Sequence, residues 1–187
     1  MARVGVLAVA LGAAVASATA AADGAAAPPS FVQQALPAAA LLGQGQMRFL
    51  GLRIYDARLW VGPQFKAADF GDYPLALELS YHRAFKGAAI AQRSIDEIER
   101  QGELPPAQAQ RWLKMLAALL PDVQSGDRLT GLYQPGQGMR FWRGEQPLGA
   151  TDDAELARRF FAIWLSPTTS EPGLRSALLA RRLEGGP

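Results

Sequence analysis

His82 is the single histidine of this 187-residue chain. It ends a stretch in which Ala76, Glu78, Ser80 and His82 alternate with Leu75, Leu77, Leu79 and Tyr81. In an extended strand, that spacing places a carboxylate, a hydroxyl and an imidazole on one side and the apolar groups on the other. A neutral imidazole so placed could act as a base or as the axial ligand of a haem iron. A dedicated zinc site is disfavoured, because such sites recruit three or four ligands and the chain offers one His and no Cys. The competing role for His82 is structural, a histidine hydrogen-bonded at the edge of a sheet.

Four arginines, Arg48, Arg53, Arg58 and Arg83, fall on or beside the two stretches that read most clearly as strands. A guanidinium can hold a carboxylate through two parallel hydrogen bonds, so any of them could anchor the acid group of an amphipathic ligand. Tyr55 and Tyr81 could offer hydroxyls to the same ligand. Each has a structural alternative: Arg58 can pair with Asp56 or Glu78, and the tyrosines can be core groups with a satisfied hydroxyl. Asp122, Asp127 and Arg128 flank Gly126 at a spacing that fits no calcium loop, which makes them turn formers. The hydroxyl-rich run Ser166 to Ser170 lacks a Gly-x-Ser-x-Gly setting and reads as a helix-ending loop. Gly43-x-Gly45 lacks the third glycine of a dinucleotide fingerprint and precedes a strand instead of a helix.

The elements that must position these groups follow from periodicity. Gly43 to Pro63 reads as one long strand closed by Gly62-Pro63, with Gly51 marking a bulge. On it Leu50, Leu52, Ile54, Asp56, Arg58 and Trp60 share one side, and Arg53, Tyr55, Ala57 and Leu59 the other. Gln64 to Tyr73 is a loop, and Leu75 to Tyr81 the cleanest strand. A helix over Gly87 to Gln101 and a second from Pro105-Pro106 to Pro121 form a pair. Residues 127 to 143 predict a β-hairpin, with a short edge at Pro147 to Gly149. Asp152-x-x-Glu155 predicts a capping box for a helix carrying Ala157, Phe160, Phe161 and Trp164 on one face. Pro172 opens the last helix, with Arg181-Arg182 near its end. Strands, then a helical pair, a hairpin and two helices lack the βαβ alternation of a parallel sheet, so the class is α+β with an antiparallel sheet.

Several segments together resemble the chalcone isomerase-like proteins of bacteria: GQGQMRFLGLRIYDARLWVGP (Gly43 to Pro63), LALELSYHRAFKG (Leu75 to Gly87), RSIDEI (Arg93 to Ile98), LPDVQSGDRLTGLY (Leu120 to Tyr133) and FFAIWLSPTTSEPGLRSALL (Phe160 to Leu179). The resemblance implies an open-faced β-sandwich, an antiparallel sheet with helices packed on one side and a cleft between them. In plants the fold hosts cyclisation of chalcones to flavanones, and related members bind fatty acids. The plant enzymes' polar anchors do not carry over. Ala38 or its neighbours stand where an arginine is required, Leu50 and Ile163 fall at threonine positions, and the chain contains no asparagine. Cyclisation needs a cation and hydrogen-bond donors aimed at a developing oxyanion, which these replacements do not supply. The expected function is therefore non-catalytic binding of a small apolar or carboxylated ligand such as a fatty acid, with Arg48, Arg53, Tyr55, Tyr81 and Arg83 as binding residues. The alternatives are an intramolecular lyase or isomerase using other residues, and a haem protein ligated by His82. Apart from that haem, no cofactor is expected.

The chain opens with Arg3, an apolar run from Val4 to Val15, and the small residues Ala18-Thr19-Ala20. This is the pattern of a secretory signal peptide over residues 1 to 20, followed by a flexible leader over 21 to 35 and a single domain over 36 to 187. The destination is the periplasm. The run is too short for a good membrane span, and no later stretch approaches the roughly 20 apolar residues a span needs. Removing residues 1 to 20 takes one Arg from the 19 basic groups, leaving 18 against 17 acidic ones. Such a balance carries no basic stripe and argues against nucleic acid as a partner; the oligomeric state is left open. The mature N-terminus is expected at Ala21 or Asp23. N-terminal sequencing of exported protein checks this, and an intact Met1 on it contradicts it.

Overall fold

The computed structural model describes residues 27–180. The signal-peptide segment and Arg181-Arg182 lie outside the described residues. Six strands run in chain order as an antiparallel meander: β1 (Ala40–Phe49), β2 (Leu52–Val61), β3 (Leu75–Tyr81), β4 (Arg128–Gln134), β5 (Gly138–Arg143) and β6 (Gln146–Thr151). Between β3 and β4 stand α2 (Gly87–Arg100) and α3 (Pro106–Leu119); α4 (Ala154–Leu165) and α5 (Pro172–Leu179) follow β6. A short 3₁₀ turn, Ala67–Asp72, lies in the loop between β2 and β3. This is the α+β architecture of an open antiparallel sheet, with α2 to α5 against one face.

Alternation decides which face is covered. Ala57, Leu59 and Val61 of β2 and Leu75, Leu77, Leu79 and Tyr81 of β3 are buried together with the inward faces of the helices. Each fully buried Leu or Phe side chain contributes about 1.5–3 kcal/mol of transfer free energy. On α4, Phe160, Phe161 and Trp164 recur at helical spacing, with Phe160 edge-on to both of the others and, at 5.4 Å between centroids, to Phe141 of β5. The cap of α4 is Asp153, one residue later than the expected capping box. Its carboxylate accepts from Leu156 N at 2.9 Å and from Trp112 Nε1 of α3 at 2.8 Å, so one side chain ties two helices together. Glu155 does not turn back to the cap; it accepts from Gln108 Nε2 at 3.1 Å.

The expected single strand over Gly43 to Pro63 is two strands. Leu50 (φ 48°) and Gly51 (φ 79°) form a tight turn, and β1 folds back on β2 with Phe49 opposite Leu52 and Ala40 opposite Val61. Gly51 is a turn residue and not a bulge, because two consecutive positive φ values reverse the chain. Part of the segment expected to be leader is ordered. Ser30–Ala35 forms α1, which lies on the opposite face of the sheet. There Val32 and Leu36 bury Trp60, Ala76 and Leu132, and Phe31 stacks on Trp142 at 4.4 Å.

β1 is held from inside by α5. A Cβ at Gly43 would meet the carbonyl oxygens of Ala177 and Leu178 well inside contact distance, so only glycine lets the helix backbone approach this closely. At Gly62, by contrast, a Cβ meets nothing within 4 Å. Gly43→Ala should therefore lower stability by roughly 1–3 kcal/mol through overpacking, while Gly62→Ala should be neutral or stabilising by up to about 1 kcal/mol. Denaturant midpoints of the two variants check the packing of α5; equal effects would contradict it.

Candidate functional site

The helices do not close evenly on the sheet. α2 is held chiefly by α3 and α4, and a cavity of about 380 Å³ remains between it and the inward faces of β1 to β5. Its floor is Met47, Tyr55, Leu77, Leu79, Tyr81 and Leu129; its roof is Phe160, Phe161, Ile163 and Trp164 of α4 with Ile90, Arg93, Ser94 and Glu97 of α2. The exposed members of the lining, Phe49, Ala89, Arg93 and Ser170, mark its mouth at the β1–β2 turn end of the sheet. Gly131 keeps the chamber's inner wall tight, since a Cβ there would press on the Phe161 and Phe141 rings at 3.0 and 3.2 Å.

The polar groups in this apolar setting are few. Trp164 Nε1 donates to the Tyr55 hydroxyl at 3.0 Å, so the phenol's oxygen is already engaged as an acceptor and its own proton remains to be donated. Burial pushes the Tyr55 phenol up to about 12, against the opposing pull of the Trp164 bond. Burial raises Tyr81 as well, reinforced by Tyr55, whose ring sits edge-on at 5.8 Å. Both phenols are thus neutral O–H donors at ordinary pH.

Arg93 and Glu97 lie one turn apart on α2, with Arg93 Nη2 2.5 Å from Glu97 Oε1 and Arg100 Nε 3.9 Å from the same oxygen. The Glu97 side chain is only 7% exposed, whereas Arg93 is 56% exposed at the mouth. The short contact is an ion pair in distance but is not aligned as a hydrogen bond, so the buried Glu97 Oε1 lacks a directed donor. Arg93 is consequently not saturated by its partner, for a guanidinium offers five N–H groups in a planar fork. Among the described residues lining the chamber there is no His, Lys or Asp, and Arg93 is the one cation.

Of the residues expected from the sequence to bind ligand, Tyr55 and Tyr81 line this cavity, and Arg48, Arg53, Arg83 and His82 do not. The cavity lies on the apolar side of β3, opposite the side of Glu78, Ser80 and His82. On that outer side His82 Nε2 lies 2.8 Å from Asp56 Oδ2 and 3.2 Å from Arg53 Nη2. A guanidinium only donates, so the ring nitrogen that satisfies the shorter contact carries its proton and donates to Asp56, and Arg53 acts as a nearby charge. Gln46 Nε2 donates to the other carboxylate oxygen at 2.7 Å. Burial pushes the Asp56 carboxyl up, but the bonds from Gln46 and His82 and the Arg53 charge outweigh it and hold it below the usual range. A haem does not fit here: the nitrogen is engaged by a carboxylate, and the surroundings are polar side chains on an open sheet face. Arg58 pairs with the buried Glu78 at 3.4 Å. Asp122 accepts from Gly87 N and Lys86, and Asp127 from Gln124 N and Arg143, so both organise turns.

Ala38 and Leu50, the positions set against the plant enzymes' arginine and strand threonine, lie outside the cavity; only Ile163 lines it. Arg93 and Glu97, which line the cavity, are not among the residues singled out from the sequence. Their signal was present in the spacing of Ile90, Arg93, Ser94 and Glu97, a second stripe beside the core stripe Ala91, Ile95 and Ile98.

A sequence profile described as chalcone isomerase-like matches residues 67–180, which is more than half of the chain. None of the curated proteins matches it in sequence. Among solved structures, the fatty-acid binding protein of Arabidopsis thaliana superposes with a TM-score of 0.60 at 12% identity, over 76% of this chain and 87% of that one. Identity this low speaks for the fold alone, whereas the profile match speaks for ancestry. The chain belongs to the chalcone isomerase-like family.

Proposed function

We propose that this protein is an exported, non-catalytic binder of a small amphipathic molecule of the fatty-acid type, with the apolar chain in the cavity and the acid group at Arg93 and Tyr55. The observation that carries the reading is the cavity itself. It is an almost wholly apolar space of about 380 Å³, within the roughly 300–1,000 Å³ of small-molecule sites, and its single cation stands at the mouth. An acid held there would accept from Arg93 and from the free Tyr55 proton. The fold is shared with a protein described as binding fatty acids, which supports the same class of ligand. Export rests on the Arg3, Val4 to Val15, Ala18-x-Ala20 pattern.

The wall groups argue against isomerase chemistry of the plant type. Ile163 offers no donor, and the phenols stay protonated, so neither is a base at neutral pH. Loss of one oxyanion donor alone costs on the order of 10²–10³ in rate. Incubation with a chalcone should give no flavanone above the uncatalysed rate; saturable, stereoselective product would overturn this part of the reading.

Titration with oleate tests the binding site. Arg93→Ala should weaken it by about 1.5–3 kcal/mol, the range for a hydrogen bond to a charged group, whereas Arg53→Ala and Arg83→Ala should leave it unchanged. Glu97→Gln should tighten oleate severalfold, because it removes a like charge and frees Arg93 from its competitor. If Glu97→Gln weakens oleate instead, Glu97 holds Arg93 in position for the acid and does not compete with it.

A further inference from the structure

The tip of the β1–β2 hairpin is built against the interests of the isolated fold in two separate ways. Leu50 and Gly51 both have positive φ, 48° and 79°, the backbone for which Asn-Gly is the favoured pair and at which a branched apolar residue is strained. Leu50 is nevertheless a leucine, and it is 85% exposed with Phe49 at 57% and Leu52 at 49% beside it. These three are the large hydrophobic side chains that stand exposed among the described residues. Immediately behind them Arg48 is the register partner of Arg53, like charges directly opposite on neighbouring strands. Arg83 stands next to them, because His82 N donates to Ile54 O and brings the end of β3 alongside the start of β2. Arg53 shares Asp56 with His82, and Arg48 and Arg83 make no ion pair among the described residues.

We propose that this tip docks on an anionic lipid surface, with Phe49, Leu50 and Leu52 entering the interface and Arg48, Arg53 and Arg83 on the headgroup phosphates. Apolar side chains ringed by arginine are the composition of an interfacial anchor. The exposure of the leucine and the repulsion of the arginines are relieved there, since the leucine leaves water and phosphates separate the facing guanidinium groups. Phe49 also belongs to the rim of the cavity, so docking turns the mouth toward the bilayer. The assignment concerns the tip and goes beyond the ligand reading; it holds or fails whatever the cavity contains.

Co-sedimentation with vesicles of phosphatidylcholine, with and without phosphatidylglycerol, tests it, using the wild type and variants that carry the same N-terminus. The wild type should pellet with the phosphatidylglycerol vesicles, release as salt rises, and pellet poorly with phosphatidylcholine alone. Leu50→Asn and Arg48→Glu should each cut the partition constant about tenfold or more, while the thermal unfolding midpoint stays level or rises. That opposition of signs separates an anchor from a structural role. Solution binding of oleate by both variants should be unchanged, which keeps failure of docking distinct from failure of the cavity reading. No pelleting at low salt, or equal pelleting of the variants, overturns the proposal. A concentration-dependent dimer that Leu50→Asn dissolves, without vesicle binding, would give the tip to a second copy of the chain and overturn it as well.

Discussion

The aromatic seam between α4 and the inner face of the sheet is the contact on which the remaining structure depends. Phe160, Phe161 and Trp164 fill the space over β4 and β5, and Trp164 reaches across to the Tyr55 hydroxyl of β2. These rings also form the α4 side of the chamber, and α2 completes its roof. Asp153 fixes where the seam begins by capping α4 and binding Trp112. The same rings therefore supply core energy at one end and cavity wall at the other.

Electrostatics divides the sheet into two unlike faces. Outside, carboxylates are matched on the spot: Asp56 by Gln46, His82 and Arg53, and Glu78 by Arg58. Inside, one buried carboxylate, Glu97, shares a guanidinium that is also exposed to the mouth. A buried charge pair is costly unless its geometry is good, and this one is poorly aligned. That arrangement leaves Arg93 with spare donors next to an apolar volume, the combination an amphipathic acid requires.

Much of the fold was legible because alternation and helical stripes are strong signals. Period two marks Leu75 to Tyr81, apolar stripes and prolines mark α2 to α5, and turn residues mark the β4–β5 hairpin. The first hairpin is not so marked, since Leu50-Gly51 lacks the Asn-Gly signature and the flanking alternation continues through it. Nor was α1 legible, because a six-residue helix of Ser, Phe, Val, Gln and Ala has no intrinsic stability and forms only against Trp60, Ala76 and Leu132. The candidate site was placed on the polar side of β3 on the premise that working groups are polar. A binder of apolar molecules inverts this: its working surface is the apolar side, indistinguishable in sequence from core. Tyr55 and Tyr81 line the cavity as phenols that suit core and cleft alike, and Arg93 carries no such mark because helix arginines are usually solvated.

The central claim is that the chamber holds a long apolar chain with its acid group at the mouth. Native mass spectrometry of protein purified without detergent or added lipid, followed by chemical identification of whatever is released, tests it most directly. The expected result is one bound molecule per chain bearing a carboxyl group and an extended hydrocarbon portion. Protein that emerges empty and also fails to take up oleate, or that carries a wholly polar molecule, would contradict it.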